Sequence, residues 1–287
     1  MRILILFFVF SLLLIPSGYK RLTGGFRIEK MRIDFPFNAE WEINRNGMDG
    51  IKRILSQPFR YLDRGSQCYV FVSEDDQFVV KLFRFDPQIN LLKQAFGNFI
   101  PMKKDKDDLE VKIKRMLTAS KLAYDRVPFE TGLVYIHLNT GTRGLPILYC
   151  KDPLGRKYAL PLDDYRFVVQ KKAKALRETL LQNLKNPEEM KKSLDSIFFL
   201  LMARTAKALS NSDSNLSRNL GFLDGRAIEI DFGNYCDRED LVQPRERIKE
   251  IDRFCRPLRV WVAEQAPEWT AYVDEKMEDV RKEILVE

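Results

Sequence analysis

Asn219 and Asp231 stand at the two ends of a short segment whose pattern would bring their side chains together. Between them, apolar residues alternate on either side of Asp224-Gly225, which is a strong signal for a two-residue β-hairpin turn. This turn sets a register in which Asn219 lies beside Ile230. The amide of Asn219 and the carboxylate of Asp231 would then converge at the open end of the hairpin. Hard oxygen ligands of this kind suit Mg²⁺ that carries nucleotide phosphates.

Other residues upstream have types that could handle phosphate or a proton. Lys81 closes the run "QFVVK", which follows "CYVFV" and the turn cluster "SEDD" at hairpin spacing. Asp213 lies in the polar stretch "LSNSDSNLSRN", six positions before Asn219. A strand-borne ammonium group could neutralise phosphate, and a placed carboxylate could orient or deprotonate a hydroxyl.

In order and spacing, these residues resemble the protein-kinase-like superfamily over roughly residues 55 to 240. The kinase loop G-x-G-x-x-G-x-V aligns with "DRGSQCYV", so that Gly65 and Val70 match, whereas Asp63 and Cys68 stand at the other two glycine positions. Lys81 follows Val70 on the next predicted strand, as the phosphate-binding lysine of the family does.

The resemblance implies an N-terminal β-lobe, a helical C-lobe, and ATP with Mg²⁺ in the cleft. It assigns Lys81 to the phosphates and Asn219 and Asp231 to the metal. The backbone around Gln170 and Lys171 would be the hinge that holds adenine.

The family pairs the strand lysine with a glutamate on a helix, and Glu110 in "KDKDDLEVK" is the natural candidate. Asp107 and Asp108 compete for this role. An acid in such a charged stretch is also often a solvated surface residue, so the partner of Lys81 stays open.

Two departures from the family pattern affect the expected activity. The kinase catalytic loop has its aspartate five positions before the asparagine, but Asp213 lies six before Asn219. Asp213 is therefore either the catalytic base, with a bulge that absorbs the extra residue, or part of a polar loop. Only 56 residues follow Asp231, too few for a full peptide-binding C-lobe, which favours the compact members of the superfamily.

The hydrophobic periodicity predicts an α+β fold with two lobes. Residues 22–170 form a β-rich lobe of antiparallel strands, with one charged helix from about 103 to 124. Residues 171–287 form a small helical lobe that includes the metal-site hairpin 219–233. The predicted strands are "CYVFV", "QFVVKLF", "GLVYIHL", "LPILYC", "KYALPL" and "YRFVVQ", and "FRIEKMRIDF" is weakly strand-like.

Composition bounds the chemistry further. The 287 residues carry a formal charge of +7, which suits an anionic partner but is more often solvated surface. The four cysteines show no metal-ligand spacing, and the single histidine nearly excludes a Ser-His-Asp triad or a His-Cys zinc site. His137 lies in an apolar run, where a structural role is expected. No basic run indicates nucleic acid binding.

Residues 1–21 are expected to be a targeting or anchoring segment rather than part of the fold. An apolar run from Ile3 to Ile15 has the length of a signal-peptide core and is short for a membrane span of about 20 residues. The basic residues that follow favour a cytoplasmic C-terminal side. The sequence therefore leaves two locations open, a membrane anchor that faces the cytoplasm or export through a signal.

Three functions remain. The first is an ATP- and Mg²⁺-dependent phosphotransferase whose acceptor, a small molecule or a protein, is unknown. The second is a pseudokinase that acts as a nucleotide-binding or membrane-tethered interaction module, which the eroded glycine loop and the shifted Asp213 would suit. The third is an unrelated α+β protein in which "DFG" at 231–233 is accidental.

Overall fold

The computed structural model describes residues 22–44, 47–85 and 103–286, with side chains in the last range from residue 109. The predicted N-terminal targeting segment 1–21 lies outside these residues. The chain divides into two compact units. Among the described residues, the first comprises those up to Glu110 together with Tyr135–Gln170, and the second comprises Val111–Val134 together with those from Lys171 onward. Residues 111–134, within the predicted β-rich lobe, thus belong to the second unit.

The fold is mixed α+β, as predicted, and the described residues form twelve strands and eight helices. The strands are β1 Phe59–Arg64, β2 Cys68–Ser73, β3 Phe78–Phe83, β4 Leu133–His137, β5 Ile147–Lys151, β6 Lys157–Pro161, β7 Phe167–Lys171, β8 Lys174–Ala175, β9 Leu209–Asn211, β10 Leu220–Leu223, β11 Arg226–Glu229 and β12 Tyr235–Asp237. The helices are α1 Met48–Leu55, α2 Lys103–Arg126, α3 Pro128–Thr131, α4 Leu176–Asn183, α5 Pro187–Ala206, α6 Leu216–Asn219, α7 Pro244–Gln265 and α8 Thr270–Val286.

A seven-stranded sheet in the order β4-β7-β3-β2-β1-β5-β6 dominates the first unit. The expectation of an antiparallel sheet is wrong at one pairing, because β5 lies parallel to β1 with Phe59 opposite Cys150. The chain reaches β5 through a long excursion rather than a tight turn, and only a tight turn would force neighbouring strands to run antiparallel. The β5–β6 hairpin therefore extends the sheet beyond β1.

Aromatic side chains hold the N-terminal segment against this sheet. The ring of Phe26 lies 4.9 Å from that of Tyr69, and the Tyr69 hydroxyl donates to the carbonyl of Gly25 at 2.7 Å. The weakly strand-like segment that begins at Phe26 is not a strand: its regular part is the 3₁₀ turn Ile28–Met31. His137 is 2% exposed beside Phe167, and burial lowers the pKa of its imidazole.

The second unit is built on α5, which begins where Asn186-Pro187 predicts a helix start. The Asn186 side chain accepts a hydrogen bond from the amide of Glu189, and Pro187 occupies the first turn. The buried face of α5 joins α7 and α8 in one apolar core whose central members are Leu194, Ile197, Leu201, Phe254 and Val273. A three-stranded sheet, β11-β10-β8, and a two-stranded pair, β12-β9, lie in this unit.

Two further properties hold for the described residues. None of their helices combines the length and apolarity that a membrane crossing requires. All four cysteines are free, and burial raises the pKa of both Cys150 and Cys255 to about 12.

Candidate functional site

The hairpin β10–β11 has the register that the sequence predicts. Leu223 pairs with Arg226 and Leu220 with Glu229. Asp224 and Gly225 both have positive φ, 51° and 78°, as a two-residue turn of this kind requires.

The pairing continues past the strand ends to the two candidate metal ligands. The carbonyl of Asn219 accepts hydrogen bonds from the amides of Ile230, at 2.6 Å, and Asp231, at 3.3 Å. Both residues are thus at the open end of the hairpin, as predicted.

Gly221 is required where the hairpin meets β8. A Cβ atom on this residue would lie 2.7 Å from the carbonyl oxygen of Lys174 and 3.0 Å from the Cβ of Ala173. The absence of a side chain lets β10 approach the segment that enters α4.

Asn219 carries a buried acceptor with no hydrogen bond among the described residues. Its side chain is 1% exposed, and its Nδ2 donates to the carbonyl of Asp213 at 2.8 Å. This bond fixes the amide so that Oδ1 is the free atom, and Oδ1 has no donor. An unsatisfied buried acceptor costs about 1–3 kcal/mol, which a cation or another donor would offset. An amide oxygen in this state fits the role of a magnesium ligand.

Asp231 presents an exposed carboxylate on a fixed backbone. Its Oδ1 accepts from the amide of Gly233 at 3.2 Å. Its carbonyl accepts from Nδ2 of Asn211 at 3.0 Å. Among the described residues no cluster of three or more His, Cys, Asp or Glu forms a metal site. A cation held by Asp231 and Asn219 would therefore need ligands from phosphate or water, as nucleotide-bound Mg²⁺ has.

Asn211 links the candidate base to the candidate metal ligand, and the sequence reasoning did not identify it. Its Oδ1 accepts from the amide of Asp213 at 3.1 Å, while its Nδ2 donates to Asp231 and, at 3.3 Å, to Glu229. No local pattern in the sequence marks Asn211, because β9 has only the three residues Leu-Ser-Asn and pairs with the distant strand β12.

Asp213 is half-buried and anchored on both sides. Its Oδ1 accepts from the amide of Asn215 at 2.9 Å, and its carbonyl holds Asn219. The six-residue interval between Asp213 and Asn219 is taken up by this turn and by the four-residue helix α6. The longer spacing therefore does not detach Asp213 from the hairpin.

A buried network of charged residues contacts Asn211 and the β10–β11 hairpin. Arg204 is fully buried and donates to Glu229 at 2.6 Å and to Glu250 at 3.3 Å, with its guanidinium 4.1 Å from the centre of the Phe254 ring. Burial lowers the pKa of Arg204, but the adjacent carboxylates outweigh this effect and the pKa is raised. Burial, followed by the charge of Glu229, raises the pKa of Tyr235, whose hydroxyl donates to that glutamate.

Arg253 connects the network to Asn211. Its guanidinium donates to the carbonyl of Asn211 at 2.6 Å and to Glu250 at 2.8 Å. Two arginines thus balance two glutamates, and every charge in the set has a partner. The backbone of Asn211 is fixed by Arg253 and its side chain by Asp213, Asp231 and Glu229.

The first unit brings together the residues predicted to bind phosphate. Val70 pairs directly with Lys81 across β2 and β3, and both are half-buried. Gly65 lies in the β1–β2 turn, where its amide donates to the carbonyl of Cys68 at 2.9 Å. Arg84 donates to the carbonyl of Gly65 at 3.1 Å. Val70 and Lys81 therefore lie on the paired strands β2 and β3, and Gly65 lies in the turn that precedes β2.

The remaining predicted residues are placed as follows. Glu110 is exposed on α2, and the side chains of its competitors Asp107 and Asp108 lie outside the described residues. Gln170 is 1% exposed in β7. The amide of Lys171 donates to the carbonyl of Gly132 at 2.8 Å, so this N–H is already used.

No protein-family model and no curated protein sequence matches the chain. Comparison with solved structures finds a crystal structure of WbdD with 14% sequence identity and a TM-score of 0.39, over 77% of this chain and 45% of that one. The chain thus spans less than half the length of that structure. A similarity of this size places the chain in no family.

Proposed function

We propose that the chain is an ATP- and Mg²⁺-dependent phosphotransferase with a two-lobed, protein-kinase-like fold, an N-terminal β-lobe and a small helical C-lobe. The observation that carries the proposal is the buried Oδ1 of Asn219, which has no donor among the described residues. The Nδ2 of the same side chain donates to the carbonyl of Asp213, and the side chain of Asn211 links Asp213 to the carbonyl of Asp231. Asn219 and Asp231 would supply two oxygen ligands for the metal, and Asp213 would supply the carboxylate that accepts a proton during phosphoryl transfer.

The residues of the chain would divide the work as follows. Asp231 and Asn219 would hold Mg²⁺, which when bound neutralises phosphate charge. Lys81 would bind phosphate oxygens as a point charge. One carboxylate oxygen of Asp213 accepts from Asn215, so the other can accept the proton of an acceptor hydroxyl within about 2.6–3.2 Å.

The adenine contact would lie at the end of β7. Because the amide of Lys171 is bonded to Gly132, the groups that serve adenine would be the carbonyl of Lys171 and the backbone that follows it. The buried side chain of Gln170 would lie beside the adenine ring.

A thermal shift tests the proposal. Mg²⁺-ATP at about 100 times its Kd should raise the melting temperature of the full chain by on the order of 5 °C. Asp231→Ala should abolish the shift, whereas Asp279→Ala, which removes an exposed acid of α8, should retain it. No shift with the unaltered chain would refute the proposal and favour an unrelated α+β protein.

A double-mutant cycle tests whether Lys81 and Asp231 act on one nucleotide. Lys81→Met and Asp231→Asn should each weaken Mg²⁺-ATP binding by roughly tenfold or more. Together they should cost less than the product of the single effects, because both contact the same phosphates. If the two changes in binding free energy, measured by calorimetry, add fully, Lys81 and Asp231 do not act on the same nucleotide.

The second candidate is a pseudokinase that binds nucleotide without transfer and acts as an interaction module. Asp63 and Cys68, at two of the three expected glycine positions, favour it. A thermal shift that depends on Asp231, together with no transfer of labelled phosphate to any acceptor or to the chain itself, would select this candidate.

A further inference from the structure

A cavity of about 630 Å³ opens beside Asp213 within the second unit. Its walls come from the start of α4, from residues 213–217 and from the C-terminal half of α7. Small-molecule sites span roughly 300–1,000 Å³, so this cavity has room for a ligand of about the size of a monosaccharide.

Two arginines in the wall are available to a ligand. Arg177 and Arg256 are both exposed, and neither forms an ion pair with any residue in the described part of the chain. The Nε of Arg177 donates to the Ser217 hydroxyl at 2.9 Å, which orients its guanidinium, and its terminal nitrogens bond no other described residue. Guanidinium groups of this kind match the bidentate geometry of carboxylate and phosphate.

The rest of the wall suits a carbon skeleton that bears hydroxyls. Trp261 is half-buried against the apolar core and lines the cavity with Leu216. Glu264, an exposed carboxylate in the same wall, can accept hydrogen bonds from hydroxyls. Pro257, inside α7, also lines the cavity, and its ring removes one helical hydrogen bond there.

We infer that this cavity binds the phosphoryl acceptor, and that the acceptor is a small hydroxyl-bearing organic anion, a carboxylate or a phosphate monoester. The inference rests on the proposed function, because it takes Asp213 as the base. The acceptor oxygen forms a bond to the γ-phosphorus of ATP, the bond from that phosphorus to the β–γ bridging oxygen breaks, and ADP leaves with the electron pair. Asp213 takes the hydroxyl proton and later releases it to solvent.

Matched acceptors separate charge from shape. Gluconate and glucose 6-phosphate should each stimulate ADP formation with a KM at least roughly tenfold below that of glucose. Arg256→Gln should raise the KM of both anions by about tenfold and reduce this preference, with a smaller effect on kcat. Arg245→Gln, an exposed arginine of the same helix outside the cavity, is the control. Equal use of glucose and the anions, or an unchanged KM in Arg256→Gln, would overturn the inference.

A binding measurement keeps this inference distinct from the proposed function. Titration with gluconate or glucose 6-phosphate should change the fluorescence of Trp261, and Trp261→Phe and Arg256→Gln should each remove the change. Anion binding without a Mg²⁺-ATP thermal shift would support the cavity and refute the phosphotransferase. A Mg²⁺-ATP shift without anion binding would refute the cavity and leave the phosphotransferase.

Discussion

The open end of the β10–β11 hairpin and the β1–β2 turn each carry residues that the sequence predicts to bind nucleotide or metal, but these residues are held in place differently. At the open end of the hairpin, the side chain of Asn211 forms hydrogen bonds with three residues, Asp213, Asp231 and Glu229. At the turn, the bonds to Gly65 run through its backbone, to Cys68 and Arg84.

The difference teaches which positions tolerate substitution. Side-chain hydrogen bonds at the hairpin specify residue identity, because each donor or acceptor atom of the side chain meets a particular partner. At the turn, Gly65 contributes only its amide and carbonyl, so its bonds fix the path of the chain and not the identity of that residue. Substitution is therefore expected to be tolerated better at Gly65 than at Asn211.

The largest effect is expected at the hairpin. Asp213→Asn should lower the rate of phosphoryl transfer by about 10²–10⁴-fold, because the amide cannot take the hydroxyl proton. The amide can still accept from Asn215, so the free energy of unfolding should stay nearly constant. ADP release at saturating Mg²⁺-ATP measures the rate, and Asp279→Asn serves as control. An unchanged rate would remove Asp213 from the role of base.

The network beneath the hairpin should have the next largest effect, on stability. Arg204→Met leaves Glu229 buried without its counter-charge and Glu250 with Arg253 alone, and the loss of one partner of a buried ion pair costs about 3–5 kcal/mol. Urea unfolding of the full chain measures this cost, with Arg245→Met as the exposed control.

A second variant of the network sharpens this test. Adding Glu229→Met to Arg204→Met should recover part of the stability, because the carboxylate left without a counter-charge is then removed. A cost below about 1 kcal/mol for Arg204→Met alone would mean that the hairpin does not depend on this network.

The smallest effects come from a matched pair of glycines, one in each region. Gly221→Ala should cost about 1–3 kcal/mol, because the new Cβ would meet the carbonyl of Lys174 at 2.7 Å. Gly65→Ala should stabilise the chain by about 0.4–1 kcal/mol, because its φ is not left-handed and the Cβ would make an ordinary 3.5 Å contact with Cys68 Sγ. Equal unfolding midpoints for the two variants would contradict the contrast between the regions.

The sequence predicted the hairpin well because its signal is local. Asp224-Gly225 fixes the turn, and alternation then fixes the register through Asn219 and Ile230. The same holds for α5, whose start Asn186-Pro187 specifies, and for the β2–β3 pair. In each case the partners lie within 15 positions of one another along the chain.

The features that were missed depend on distant residues or on very short elements. β1 is charged on its exposed face and was not recognised as a strand. β8, β9 and β12 contain two or three residues each, too few to show a period. The role of Asn211 arises from the β9–β12 pairing, in which Asn211 stands opposite Tyr235, and no local pattern encodes that pairing.

The parallel junction between β1 and β5 has a consequence for the order of folding. It pairs Phe59 with Cys150, 150 − 59 = 91 positions further along the chain, through two registered positions, whereas β2 and β3 meet across a tight turn. Closing a loop of this length costs conformational entropy, and the few contacts between β1 and β5 offset this cost only after the loop has closed. The β5–β6 ribbon should therefore dock late during folding, and its amides should exchange with deuterium before those of β2 and β3.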